Sequence, residues 1–204
     1  MISAIVLAAG LSSRMGRFKP LLPYGKRTVV EQIVTMLLQC SVEDVILVTG
    51  FKHQAIETHL KNLPVTLVYN PDYATGEMLT SLQVGINAVN PQSTAFLLAL
   101  GDQPAIQREV IGKVKDAYHQ NQESIIIPSY QRRRGHPSII PRKYWSEIQA
   151  LGPGQTLRDF LRTVNNIFHV EVYTPTILRD MDTLNDYHRE LAFLHELSTA
   201  LQSS

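Results

Sequence analysis

Short apolar runs rich in valine and isoleucine alternate along this chain with longer stretches in which apolar residues recur every third or fourth position. The first kind reads as buried strand and the second as amphipathic helix. Residues 2–9 (ISAIVLAA) open the series as a strand. Residues 28–40 follow with Val29, Val30, Ile33, Val34, Leu37 and Leu38 at helical spacing. The alternation continues with a strand at 44–50, a helix at 52–61, a strand at 65–69 and a helix at 78–89. Residues 95–100 (AFLLAL) are apolar without a break, as a central parallel strand covered on both faces requires. Beyond them the pattern predicts a helix at 109–119, a strand at 124–128, a loop at 129–136 and a short strand at 138–140. A helix at 155–164, a strand at 169–173 and a closing helix at 187–202 complete it. Strands and helices taken in turn predict an α/β fold with a largely parallel sheet covered by helices. The linkers are short and no repeat is visible, so residues 1–204 read as one domain.

Composition narrows the function without choosing it. With 204 residues and 44% apolar side chains the chain can bury one substantial core, whereas two domains would each be small. Its 19 basic and 18 acidic side chains nearly cancel, to a formal charge of +1. No broad field draws such a protein onto nucleic acid or anionic lipid, so neither is an expected partner and phosphate binding must be local. No apolar run reaches membrane-spanning length, and residues 2–9 lack a basic leader. The single cysteine, Cys40, can form neither an internal disulfide nor a cysteine zinc cluster, which fits a reducing compartment and points to the cytoplasm. Cys40 itself is expected at a buried helix position with no part in chemistry.

Candidate chemistry begins where the first strand ends. Residues 2–22 (ISAIVLAAGLSSRMGRFKPLL) place a polar, glycine-containing loop between a strand and the next helix. Gly10 lets the backbone approach a ligand closely. Ser12 and Ser13 add hydroxyl donors, Arg14 offers a planar fork for phosphate oxygens, and Lys19 supplies a compact second cation. Such a loop suits a polyphosphate, although a charged loop after a strand is also ordinary solvated surface. The loop lacks the GK[ST] ending of simple ATPases and has too few glycines for a dinucleotide fingerprint. Asp102 follows the most apolar strand, at the sheet edge where open parallel sheets bind ligands. It is placed to hold Mg²⁺ against phosphates, or to cap the helix that follows. Asp182, in the segment Asp180, Met181, Asp182, Thr183, is a second candidate carboxylate, or the start of a helix.

Six motifs in order resemble one family. LAAGLSSRMGRFKPLL matches the signature LAAGxSxRMGxxKxLL of nucleotidyltransferases similar to molybdenum cofactor cytidylyltransferase. VTGF, NPDYATGEMLTSL, LGDQP, GHP and DMDTLNDY match later blocks of that family, and together they span residues 5–187. One departure is Glu77, which lies between Gly76 and Met78 where the family reads GM.

The resemblance implies a Rossmann-like three-layer nucleotidyltransferase fold with a mostly parallel central sheet. It also implies transfer of a nucleoside monophosphate from CTP or another NTP to a phosphorylated acceptor, with release of pyrophosphate. By likeness, Leu7, Ala8, Ala9, Gly10, Ser12, Ser13, Arg14 and Lys19 bind the nucleotide together with Gly76, Ser81 and Asp102. Arg14, Lys19 and Asp102 serve the chemistry, and Asp102 and Asp182 ligate Mg²⁺, with Mn²⁺ suited to the same oxygens. Alanine at position 9, where relatives that use GTP tend to carry glycine, favours CTP. Arg134, in the run Arg132, Arg133, Arg134, and His136 in GHP are candidates for the acceptor, although such residues are commonly a solvated loop and a structural histidine. The expected acceptor is a pterin phosphate such as the molybdenum cofactor, with a molybdenum enzyme as recipient. A sugar or polyol phosphate acceptor is the nearest alternative. A non-catalytic cofactor chaperone is the alternative from another class, and the presence of both acids and both cations weighs against it.

Overall fold

The computed structural model describes residues 1–75 and 77–202. Its centre is β1 (Ile2–Ala8), whose side chains alternate between two apolar layers. Ala4 and Val6 face one core and Ile5 the other, and all three are fully buried. Two further strands lie parallel to β1, one on each side: β4 (Val45–Thr49) and β6 (Ala95–Leu100). A small hairpin of β2 (Pro23–Tyr24) and β3 (Arg27–Thr28) stands apart from this sheet.

The main sheet runs in the order β10-β7-β9-β6-β1-β4-β5, with β8 beside β7. The remaining strands are β5 (Thr66–Tyr69), β7 (Ile125–Tyr130), β8 (Arg133–Arg134), β9 (Ser138–Pro141) and β10 (Ile167–Glu171). Only β8 and β9 run against their neighbours among the described residues, so the sheet is mostly parallel as its apolar runs predict. One face carries α1 (Val29–Gln39), α2 (His53–Leu60), α4 (Arg108–Gln120) and the start of α7 (Leu184–Gln202). The other carries α3 (Met78–Ala88), α5 (Trp145–Gln149) and α6 (Leu157–Thr163). This three-layer arrangement is the Rossmann-like fold that the motifs imply.

Local chemistry explains the helix starts. Thr28 accepts from the Glu31 amide while the Glu31 carboxylate accepts from the Thr28 amide, a reciprocal cap that opens α1. Thr183 and Asp186 do the same for α7, which therefore begins at Leu184 rather than 187. Other boundaries also differ from the sequence pattern. Residues 129–136, read as a loop, contain the end of β7 and all of β8, because Gln131 and Arg132 adopt left-handed backbone (φ 49° and 64°) that turns the chain back on itself. Strand β10 starts two residues before 169, since its register is set by pairing Ile167 with Ile125 and not by apolar spacing. Helix α5 gives a short pattern and was not anticipated. Cys40 is only half-buried and caps α1 at its carboxyl end, so the expectation of a buried helix position fails. Among the described residues no helix is long and apolar enough to cross a membrane.

The topology leaves a crevice at one place. The chain passes from β1 to β4 in one direction, while β6 leads toward β9 and β7 in the other, so the loops after β1 and β6 face each other across the carboxyl edge. The Gly101 amide donates to the Leu7 carbonyl at 2.9 Å and closes the two strand ends together. A Cβ on Gly101 would lie 2.7 Å from that carbonyl oxygen and 2.8 Å from Ala8 Cβ, which is why the residue before Asp102 is glycine.

Candidate active site

The loop after β1 is anchored from below and polar above. Met15 and Phe18 drop into the core, while Arg14, just before Met15, stands out into solvent. Ser12 takes a left-handed conformation (φ 55°) and opens a single 3-10 turn, Ser13–Met15, which Gly16 (φ 66°) closes. The Lys19 amide then donates to Ser12 Oγ at 3.2 Å, latching the far end of the loop to its start. The Ser12 hydroxyl hydrogen stays available to a ligand. A Cβ at Gly10 would meet no described atom within 4 Å, so no protein contact demands glycine there. The sharp turn is made at Ser12 and Gly16 instead.

Lys19 reaches down from this loop to two acids far away in sequence. Its Nζ lies 3.3 Å from Asp102 Oδ2, after β6, and 2.8 Å from Asp182 Oδ1, just before α7. Arg14 Nη1 meets the second Asp182 oxygen, Oδ2, at 2.8 Å. The helix-start role open to Asp182 in the sequence belongs to Thr183 and Asp186, which leaves its carboxylate for the cluster. Both carboxylates are partly exposed, and their pKa values move in opposite senses. Burial pushes the Asp102 carboxyl above its ordinary range against the pull of Lys19. The hydrogen bond from Lys19 holds Asp182 below that range, with the Lys19 and Arg14 charges adding to it.

These groups line a cleft of about 410 Å³, within the size range of small-molecule sites. Leu7, Ala8, Ala9, Gly10, Ser12 and Ser13 line it, together with Ser81, Asp102 and Asp182. Ser81 Oγ accepts from Nδ2 of the fully buried Asn70 at 3.0 Å, so its orientation is set by the protein. Gly76 lies outside the described residues. The structure adds Tyr73, Glu77 and Met78 to the cleft. They sit in the NPDYATGEM block, where the family likeness assigns a role to Gly76 and none to these three.

Two sequence candidates stand elsewhere. Neither Arg134 nor His136 lines the cleft. Arg134 is exposed in β8, paired through its backbone with Ser129; partial burial, with the Arg134 charge adding to it, holds the His169 imidazole below its usual range. The His136 amide donates to the Ile177 carbonyl, and burial lowers the pKa of its ring while Asp180 opposes the shift.

Asp102 and Asp182 converge on one ammonium nitrogen, so they would equally face one divalent cation. Among the described residues no group of three or more acids, histidines or cysteines could hold a metal alone. A two-carboxylate site of this kind suits Mg²⁺ or Mn²⁺ completed by phosphate oxygens and water.

Comparison with known proteins bears on the family and the fold. The profile of the MobA-like NTP transferase domain matches residues 4–170. Molybdenum cofactor cytidylyltransferase of Escherichia coli K12 is 30% identical over 188 residues, 91% of this chain and 93% of that one. Nicotine blue oxidoreductase of Paenarthrobacter nicotinovorans is 32% identical over 145 residues, 68% of this chain and 70% of that one. The solved structure of Rv0371c from Mycobacterium tuberculosis, in complex with manganese, superposes with a TM-score of 0.77 at 26% identity, covering 94% of this chain and 98% of that one.

Proposed function

The chain belongs to the MobA-like NTP transferase family of nucleotidyltransferases, and from that premise we propose that it transfers CMP from CTP to a phosphorylated pterin of the molybdenum cofactor type, releasing pyrophosphate. The observation that carries this reading is the ion cluster of Arg14, Lys19, Asp102 and Asp182 in the cleft. It joins two phosphate-binding cations to two metal-binding acids at the switch point of the sheet. The cytidine preference is supported by Ala9 in the loop and by the name of the Escherichia coli relative.

In this reading the acceptor phosphate oxygen forms a bond to the α-phosphorus of CTP, while the bond to the pyrophosphate oxygen breaks on the opposite side. An ionised acceptor phosphate needs no general base, so the protein contributes position and charge. Asp102 and Asp182 would hold Mg²⁺, or Mn²⁺ as in the complex of the mycobacterial neighbour. Such an ion neutralises phosphate charge and polarises the P–O bonds. Lys19 is the counter-ion of both acids in the protein alone. Were a cation held by the two acids, the Lys19 ammonium would be available to the phosphates of the leaving pyrophosphate. Arg14, mostly exposed at the mouth of the cleft, binds the outer phosphates.

The direct test is to incubate the protein with each of the four NTPs, Mg²⁺ and either a pterin phosphate or sugar phosphates, and to measure pyrophosphate. Release that requires CTP, pterin phosphate and Mg²⁺ together is expected. Turnover only with a sugar or polyol phosphate would move the acceptor to that class, and tight cofactor binding with no pyrophosphate would make the protein a carrier. A narrower expectation concerns Arg14. Arg14→Ala should weaken CTP binding by about tenfold, the worth of one charged hydrogen bond, and leave cytidine binding unchanged. Calorimetric titration with both ligands decides it, since equal losses would remove Arg14 from the phosphates.

A further inference from the structure

Gln103, which follows Asp102, has an arrangement that packing does not explain. The residue is only 3% exposed, yet its Oε1 has no hydrogen-bond partner among the described residues. A buried amide with an idle oxygen costs stability relative to an apolar side chain of similar size. The other end of the amide is engaged: Nε2 donates to Asp180 Oδ1 at 2.5 Å. Rotating the amide to satisfy the oxygen elsewhere would withdraw this donor, and exchanging its ends would aim an oxygen at a carboxylate. The one polar contact that Gln103 makes through its side chain therefore joins the loop of the first acid, Asp102, to the segment of the second, Asp182.

That segment is held at neighbouring points as well. Arg179 Nε binds Glu190 Oε1 at 2.6 Å, fixing it to α7. The Met181 amide donates to the Asp102 carbonyl at 3.1 Å, and the Met181 side chain is fully buried. Asp180 itself is exposed, so its carboxylate needs no protein partner to be solvated. The Gln103 contact is thus a side-chain tie between the loops that carry the two acids, beside the backbone tie from Met181 to Asp102.

We infer that Gln103 is a positioning residue for the metal site, holding Asp182 at the correct distance from Asp102 through its hydrogen bond to Asp180. This rests on the reading of Asp102 and Asp182 as ligands of a divalent cation. Groups that support ligands from behind typically change metal affinity by about 10–100-fold when removed.

The test uses the whole chain, Mn²⁺ as probe, and four variants: Gln103→Met, Asp180→Ala, Asp180→Asn and the double variant Gln103→Met with Asp180→Ala. Mn²⁺ affinity is read by electron paramagnetic resonance, backbone freedom by amide hydrogen exchange of residues 179–183, and fold by melting temperature. Gln103→Met is expected to bind Mn²⁺ about tenfold more weakly and to exchange faster in 179–183, with a melting temperature equal to or above that of the unaltered protein. Asp180→Ala should match it, and the double variant should be no worse than either, because both remove one bond. Asp180→Asn keeps an acceptor for Nε2 and should retain most of the affinity. A lower melting temperature with faster exchange throughout would make Gln103 a packing residue and overturn the inference. So would unchanged Mn²⁺ affinity in Gln103→Met, or Asp180→Asn as weak as Asp180→Ala, which would assign the effect to charge. If the unaltered protein binds no Mn²⁺, the metal reading itself falls, and this inference with it.

Discussion

Asp102→Asn is expected to lower turnover by on the order of 10²–10³-fold while raising the melting temperature at pH 7 in the absence of added metal. The two effects have one source. The Asp102 carboxylate is mostly buried, and the cost of burying its charge outweighs the attraction of Lys19, so its pKa is raised in the folded protein. A carboxyl with a raised folded pKa binds its proton more tightly when folded. It therefore favours folding at low pH and opposes it once the pH rises through the folded pKa. Asparagine keeps the shape and discards that cost. Lys19 retains Asp182 as its partner at 2.8 Å, so the substitution strands no cation. Melting curves at pH 4 and pH 7 should show the variant gaining stability at pH 7 and losing that advantage at pH 4. The turnover loss is measured as pyrophosphate release under saturating CTP. A melting temperature several degrees lower, or turnover within a few-fold of normal, would remove Asp102 from the metal site.

Lys19→Met should be the more damaging substitution to the fold, and it should lower turnover by about 10²-fold or more. Its ammonium is the only cation that touches both acids among the described residues, and its side chain is 11% exposed. Without it two carboxylates face each other, with Arg14 left on Asp182 alone. The sign of the pH dependence follows from Asp182, whose folded pKa Lys19 depresses. A depressed carboxyl contributes stability that is present above its unfolded pKa and is lost as the pH falls through the folded value. The deficit of Lys19→Met is therefore greatest near neutral pH and shrinks below the ordinary carboxylate range, as both acids take up protons. Millimolar Mg²⁺ or Mn²⁺ should raise the melting temperature of this variant more than that of the unaltered protein, because a cation that binds only the folded chain stabilises it by mass action. An equal shift in both proteins would show that the acids do not form one cation site.

The element types were legible in the sequence for particular reasons. Residues 95–100 are apolar throughout because β6 is covered on both faces, and the 3.6-residue spacing of Val29, Ile33 and Leu37 mirrors the single buried face of α1. Where burial is partial the signal weakens. Phe168 and His169 are exposed in the edge strand β10, so apolar spacing misplaced its start by two residues. The hairpin of β7 and β8 was hidden because Gln131 and Arg132, and not glycines, adopt the left-handed turn.

The site was legible as a set of residues and not as an arrangement. Arg14, Lys19, Asp102 and Asp182 were each recognisable from side-chain chemistry and motif likeness, and all line one cleft. Arg134 and His136 were proposed by similar likeness and lie away from it. Gln103 gave no signal beyond its place in LGDQP, since the orphaned oxygen that marks it exists only once the chain has folded.

Periodicity, composition and motif order are properties of neighbouring residues, and on their own they determined the alternation of strand and helix and the family to which the chain belongs. Tertiary structure alone decided that Lys19 meets one acid 83 residues away and another 163 away. Those distances depend on the strand order, on the crossing of the chain at the switch point, and on a glycine that lets two loops touch. Each arises from packing between segments remote in sequence, which local spacing does not record.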